Sequence, residues 1–100
     1  KQKVTTAMSE YVTIEVDYTD NPDIADLFIN QILTHDEEET YNSLQEGEVG
    51  SPIAQMLFLA VDGIRQLVIT EDCLMITREK GMPWESIIDE IRDALRDWYL

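Results

Sequence analysis

The most regular apolar pattern lies near the end of the chain and has the period of a helix. Apolar residues recur three and four positions apart, as on one side of an α-helix: Trp84, Ile87, Ile88, Ile91, Leu95 and Trp98. Charged residues fill most of the intervening positions, and Pro83 stands where a first helical turn tolerates proline. The pattern predicts a helix that starts at Pro83 and buries one stripe of side chains.

A second helix is predicted from residue 52 to about residue 61. Ser51 can accept hydrogen bonds from the N–H groups of a first turn, and Pro52 occupies the first helical position. Apolar residues then recur at helical spacing: Ile53, Met56, Leu57 and Ala60. Gly63 follows and can end the helix, because glycine readily adopts the left-handed conformation that closes helices.

Four segments have the apolar content and spacing of β-strands. They are residues 11–18, 24–29, 64–70 and 73–78. The first alternates apolar and polar residues, whereas the second carries apolar residues on both faces. Asn21-Pro22-Asp23 is rich in turn formers and predicts a reversal between the first two strands. Glu71-Asp72 predicts a tight connection between the last two.

The segment between residues 30 and 50 gives a weaker pattern. His35 and the four acids after it predict an exposed loop, Thr40–Leu44 a short strand, and residues 45–48 a turn. Together the predicted strands and helices indicate an α+β fold: a small antiparallel sheet of four or five strands with two helices packed on one face. We expect residues 1–10 to form a disordered tail and residues 11–100 a single domain.

Composition narrows the class of protein. Apolar residues make up 44% of the 100 residues, which is typical of a globular chain. No apolar stretch is long enough to cross a bilayer and no signal peptide opens the chain, so we expect a cytoplasmic protein. The formal net charge is −14, and residues 4–64 contain no Lys or Arg. That charge disfavours binding to nucleic acid or to anionic membranes.

The candidate chemical groups are few. Cys73 is the one cysteine, which excludes an internal disulfide and a self-contained Cys-x-x-Cys metal site. We expect it in the core, and the alternative is an exposed thiolate that donates to a cluster shared between two chains. His35 among acids predicts a solvated loop with weak affinity for divalent ions at most. The acids around Asn21 fail the spacing of a calcium loop.

Nothing in the chain favours an enzyme. The paired carboxylates of the last helix fall on its wet side, where no burial shifts their pKa. Ser51 has neither His nor Lys near it in sequence to activate it as a nucleophile.

Trp84 and Trp98 are expected to anchor the core. The alternative is that part of the Trp98-Tyr99-Leu100 segment is exposed and contacts a partner.

Several blocks in this order resemble the N-terminal domain of Nfu/NifU-type iron–sulfur cluster scaffold proteins. The sharpest block is Ser-Pro-Ile-Ala-Gln-x-Leu-Phe at residues 51–58. Gly63-Ile64-x-x-Leu67, running on to the Asp-Cys-Leu-Met-Ile-Thr of residues 72–77, is the next. Asn21-Pro22-Asp23 is similar to the family's Asn-Pro-Asn turn, and Trp84-Glu85 to the start of its last helix. The chain departs from the family in lacking a glycine at Thr70.

The resemblance implies a non-catalytic accessory domain linked to iron–sulfur cluster assembly or delivery, with protein partners. The family's cluster-binding module carries Cys-x-x-Cys, which these 100 residues lack. We therefore expect no cofactor bound by this chain alone and an iron–sulfur cluster, or iron binding, only by family association. The expected partner contacts are few: Asn21, Pro22, Asp23, Gln55, Trp98 and Tyr99.

The alternative function rests on charge. An acidic protein can imitate nucleic acid and bind or inhibit basic proteins, and such binding would be steeply sensitive to salt. A docking domain held by apolar anchors would keep its partner at moderate salt. Both hypotheses predict a protein partner, and they differ in the chemistry that holds it.

Overall fold

The computed structural model describes residues 12–100, and the prediction of a disordered tail over residues 1–10 lies outside this range. Five strands and three helices follow one another along the chain. They are β1 (Ile14–Tyr18), β2 (Ile24–Ile29), β3 (Glu39–Tyr41), α1 (Leu44–Glu48), α2 (Pro52–Ala60), β4 (Ile64–Ile69), β5 (Cys73–Arg78) and α3 (Trp84–Trp98). The α+β class predicted from the sequence is confirmed.

All five strands form one antiparallel sheet in the order β1-β2-β5-β4-β3. The register places Leu27 opposite Leu74 and Ile76 opposite Leu67, so these residues point to the same face. Because side chains alternate along a strand, one face collects the buried residues and the other their neighbours in sequence. The face that carries Asp26, Phe28, Val68, Cys73 and Met75 is opposite the buried one, and we call it the open face.

The core lies between the sheet and the helices. The side chains of Leu27, Leu67, Leu74, Ile76, Ile87 and Ile91 are fully buried there. The apolar stripe predicted for α3 is confirmed at Ile87, Ile88, Ile91 and Leu95, all of which are buried. Burying this stripe supplies most of the stability of such a helix, since an isolated helix of this length is marginal in water.

The segment predicted as a turn at residues 45–48 is a short helix, α1, and that prediction is wrong. Ser43 caps it by accepting a hydrogen bond from the backbone N–H of Glu46, and the Glu46 carboxylate accepts one from the N–H of Asn42. Ser-x-x-Glu is a recognised signal for a helix start. The strand predicted over residues 40–44 is shorter and lies at Glu39–Tyr41.

The start of α2 is tied to β3 by hydrogen bonds. Ser51 Oγ accepts from the N–H of Ala54, as predicted, and the Ser51 N–H donates to the hydroxyl of Tyr41. That hydroxyl in turn donates to the carboxylate of Glu39 over 2.6 Å. Burial raises the pKa of Glu39, but hydrogen bonds from Ser51, Thr34 and Tyr41 outweigh it and leave that pKa below its ordinary value.

Candidate protein-interaction surfaces

The first surface predicted to contact a partner is the turn between β1 and β2. Asn21 Oδ1 accepts a hydrogen bond from the N–H of Asp23, and the Thr19 hydroxyl donates to the carbonyl oxygens of Asn21 and Ile24. Asn21 and Pro22 are exposed, while Asp23 is half-buried. The Asx-type turn expected from these residue types is therefore formed, and it presents a fixed shape to solvent.

An anchor at the start of α3 holds this turn in place. The indole N–H of Trp84 donates to the carbonyl of Pro22 over 2.9 Å, and Arg78 Nε lies 3.0 Å from the Asp23 carboxylate. The guanidinium also lies 5.3 Å from the centre of the Trp84 ring and donates to the Met82 carbonyl. Sequence reasoning did not identify Arg78, because Asp23, its ion-pair partner, lies 55 residues away along the chain.

The second predicted contact, Gln55, lies on the exposed side of α2. Its side-chain amide donates to the carbonyl of Gly50 over 2.7 Å, and this hydrogen bond links the helix to the segment that precedes it. Gln55 also borders a pocket of about 210 Å³ between α1 and α2, together with Leu44, Phe58 and Leu59. The pocket gives this region an apolar recess beside a polar rim.

The third predicted contact lies at the end of α3. Trp98 is 43% exposed, and the hydroxyl of Tyr99 donates to the carbonyl of Ile32 over 3.0 Å. Burial raises the pKa of Tyr99. Helix geometry separates Trp98 from Trp84, at the opposite end of α3, by about 21 Å. The structure therefore does not bring the predicted contacts together into one site.

The open face of the sheet is a surface that sequence reasoning missed. The register places Phe28 beside Cys73 and Asp26 beside Met75, with Val68 as the next neighbour of Met75. Phe28 is 40% exposed and Met75 43% exposed. The signal was the apolar content of both faces of residues 24–29, which predicts contacts on each side of that strand.

Asp26 stands out on the open face. Its Oδ1 atom is buried yet accepts no hydrogen bond from any residue in the described part of the chain. The residue opposite Asp26 on β1 is Asp17, a second acid on the same face. Like charges directly opposite in a sheet are destabilising, and so is a buried acceptor without a donor. This arrangement therefore costs the fold stability.

Cys73 belongs to the open face and not to the core, so the prediction of a core cysteine is wrong. It precedes the buried Leu74 and so points to the other side of the sheet, where it is half-buried. Burial and the nearby carboxylates of Asp26 and Asp72 raise the pKa of the thiol to about 11. A raised pKa keeps the thiol protonated at neutral pH, which opposes the role of a reactive thiolate.

The raised pKa predicts slow alkylation of Cys73 by iodoacetamide. Relative to a thiol of pKa 9.0, a pKa of about 11 lowers the thiolate fraction at neutral pH roughly a hundredfold. The alkylation rate, followed by mass spectrometry, should keep rising with pH beyond pH 9. Asp26→Asn removes a negative charge, lowers the pKa and should speed alkylation several-fold at pH 8, whereas Glu85→Gln should not. Equal rates in all three proteins would contradict this account.

The remaining candidate group from the sequence is His35. His35 is exposed on the loop before β3, in keeping with the solvated loop that was expected. Within residues 12–100, no three His, Cys, Asp or Glu side chains are grouped so as to hold a metal ion. Of the helices described here, none is long and apolar enough to span a membrane.

Comparison with known proteins identifies the family. The family model described as scaffold protein Nfu/NifU N terminal matches residues 14–100. The fold is similar to the solution structure of a NifU-like protein from Saccharomyces cerevisiae, with a TM-score of 0.70 and 25% identity. That similarity covers 86% of this chain and 76% of the yeast chain. A search of curated proteins gives no match.

Two bacterial structures share the fold at lower identity. A crystal structure from Staphylococcus aureus has a TM-score of 0.61 and 15% identity, and covers 82% of this chain and 96% of the other. A solution structure from Staphylococcus epidermidis has a TM-score of 0.55 and 17% identity, and covers 84% and 94%. The family match over residues 14–100 and the similarity of fold agree, and this chain belongs to the family of Nfu/NifU scaffold protein N-terminal domains.

Proposed function

We propose that this chain is a non-catalytic accessory domain that binds protein partners during the assembly or delivery of iron–sulfur clusters. The observation that carries the proposal is the family match over residues 14–100. The proposal includes residues 11–100 acting as one domain in the cytoplasm. It also includes no cofactor bound by this chain alone, because one cysteine cannot supply the several thiolates that hold an iron–sulfur cluster.

The proposed mechanism is docking by preformed surfaces. The turn at Asn21, Pro22 and Asp23 is held by the Arg78–Trp84 anchor, so it loses little freedom when it binds. Gln55 beside its apolar recess, and Trp98 with Tyr99, are the other proposed contacts. Aromatic side chains with large exposed area, such as Trp98, are the residue type that most often dominates binding energy.

One observation favours a second candidate function, an acidic module that binds or inhibits basic proteins. The net charge is −14, and no Lys or Arg occurs between residues 4 and 64. Such a surface speeds encounter with a cationic protein at low salt. The two candidates differ in salt dependence, because salt screens charge pairs and leaves apolar contacts intact.

The test is affinity capture of the chain from its own cell lysate under anaerobic conditions, with washes at about 0.15 M and about 1 M NaCl, which shorten the Debye length from roughly 8 to 3 Å. We expect cluster-assembly or cluster-carrying proteins, identified by mass spectrometry, to survive the higher salt. Basic nucleic-acid-binding proteins that are lost at that salt would support the second function and overturn the first.

Two variants and one control locate the contact. Trp98→Ala should reduce capture of the partner, and Asn21→Asp should do the same while keeping the oxygen that closes the turn. Asp89→Asn, in an exposed acid near the middle of α3, changes one charge at a distance from the turn and from Trp98 and should leave capture unchanged. Unchanged capture with both variants, and circular dichroism showing that they fold, would remove these surfaces from the proposal.

A further inference from the structure

The centre of the open face is apolar and accessible. Phe28 and Met75 are both about two-fifths exposed and are joined across the sheet by Cys73 and Val68. With Asp26 and other neighbours these residues line a pocket of about 250 Å³. Exposed Phe and Met side by side are typical of binding surfaces, because such side chains are depleted elsewhere on protein surfaces.

The rim of the open face is acidic. Glu15 and Asp17 lie on it opposite Phe28 and Asp26, and Glu38 and Asp72 border the same pocket as Met75. Among the paired positions of this face in residues 12–100 no Lys or Arg occurs, and the exposed Arg65 of β4 lies at the register shift between Ile64 and Gln66, toward one end of the sheet. An apolar centre with an acidic rim complements a partner with an apolar stripe flanked by basic side chains.

Asp26 adds a specific requirement. Its buried Oδ1 atom has no donor in the described chain, and its cross-strand neighbour Asp17 repels it. A Lys or Arg side chain from a partner would supply the compensating charge, and rotation of the Asp26 carboxylate toward it would give the buried oxygen a donor. Binding of such a side chain would offset the stability that the free protein loses at this position.

The size of the face selects the kind of partner. Five strands spaced by about 4.8 Å and strands of about six residues give a surface of roughly 20 by 20 Å. That is about half of the roughly 800 Å² per partner buried in an ordinary protein interface. A helix of about 13 residues spans 20 Å, and helices already cover the other face of this sheet.

We propose that the open face is the docking site for a basic amphipathic helix of a partner protein. The apolar side of that helix packs on Phe28 and Met75, and its Lys or Arg side chains reach Asp26 and the acidic rim. A second copy of this chain is disfavoured as the occupant, because it would bring the same acids against each other. The proposal rests on the docking role proposed above, and it adds a surface and the chemistry of the partner.

The test uses a synthetic peptide of about 13 residues, built of Leu and Lys so that the Leu residues line one side of a helix. A second peptide has the same composition in an order that does not align the Leu residues. Affinity of the full chain for each is measured by fluorescence anisotropy at about 0.15 M NaCl. We expect the aligned peptide to bind at least about tenfold more tightly than the scrambled one.

Matched variants place the peptide on the open face. Phe28→Thr and Met75→Thr, which keep strand propensity, should each weaken binding about tenfold, and Asp26→Asn several-fold. Val49→Ala removes an apolar group that is 84% exposed at the end of α1, and Glu85→Gln removes one charge from α3. Both controls should change affinity less than about twofold.

Protection of Cys73 gives a readout in the unaltered protein. Because the thiol lies on the open face, bound peptide should exclude iodoacetamide from it and slow its alkylation at pH 9, and this exclusion should outweigh the lower thiol pKa that a Lys beside Asp26 would cause. Tight binding of the aligned peptide without protection of Cys73 would overturn the proposal, even if a variant fails to fold. Equal losses in Glu85→Gln and Asp26→Asn, or equal binding of the scrambled peptide, would show attraction by net charge alone and would also overturn it.

Further results distinguish this proposal from dimerisation through the open face and from the function proposed above. Concentration-dependent dimers in light scattering that are abolished by Phe28→Thr would identify a second copy as the occupant and overturn the proposal. The peptide experiment uses no iron–sulfur protein. A failure of the peptide to bind would therefore not affect the result of the capture experiment. Failure to capture cluster-assembly proteins would likewise not affect the result with the peptide.

Discussion

Replacing Leu27 by alanine is expected to lower the free energy of unfolding by about 3 kcal/mol. Leu27 lies in β2, is fully buried and faces Leu74 across the sheet. The loss combines the transfer of the removed methyl groups with the cavity that remains, because neighbouring strands cannot collapse into it. Urea denaturation followed by circular dichroism measures the change from the transition midpoint at constant slope.

Leu59→Ala is the matched control for this prediction. It deletes the same atoms from a leucine that is 88% exposed on α2, and alanine favours a helix at least as well as leucine. The free energy of unfolding should change by less than about 0.5 kcal/mol. A cost for Leu27→Ala as small as that of the control would contradict the assignment of the buried face of the sheet.

The second large effect is expected from Gly47→Ala in α1. A Cβ atom built on Gly47 would overlap Cδ2 and Cε2 of the Phe58 ring and lie 2.7 Å from its Cγ. Phe58 is buried and packs edge-to-face against Tyr41, so its ring cannot turn away without disturbing β3. Overpacking of this kind should destabilise the protein by about 2 kcal/mol in thermal or urea unfolding.

The sign of the Gly47→Ala effect is diagnostic. In an unobstructed helix the same change would stabilise by roughly 0.5–1 kcal/mol, because glycine loses more backbone freedom than alanine on folding. A stabilised variant would therefore contradict the close contact with Phe58. The double variant Gly47→Ala/Phe58→Leu makes room for the new methyl group, and its total cost should fall short of the sum of the single costs by about 1 kcal/mol.

Residues on the two faces of the sheet make different contributions. Leu27 and Leu74 stabilise the fold, whereas the opposed acids Asp17 and Asp26 and the buried Oδ1 atom oppose it. Stability lost at a surface is often found where that surface binds something. The open face, and not the exposed turn, therefore indicates the chemistry of the partner.

The sequence alone determined the elements whose signal is local and periodic. The apolar stripe of α3 and the alternation in β1 predict which side of each element faces the core, because the face on which a residue lies follows from its position in a regular element. Ser51 and Pro52 marked the start of α2, since capping depends on neighbours in sequence. The fold class follows from these elements.

Only the tertiary structure decided features that depend on distant residues. α1 has a local signal only at its start, the capping pair Ser43 and Glu46, because five residues with little apolar content carry no periodic pattern; its packing of Gly47 against Phe58 depends on the tertiary structure. Cys73 faces the open side because the register of β5 fixes its parity, and its neighbours there come from other strands. The contacts of Arg78 and Trp84 with the turn at Pro22 and Asp23 likewise join segments far apart in the chain, and so does the setting of the Asp26 oxygen that has no donor within residues 12–100; no local pattern encodes either.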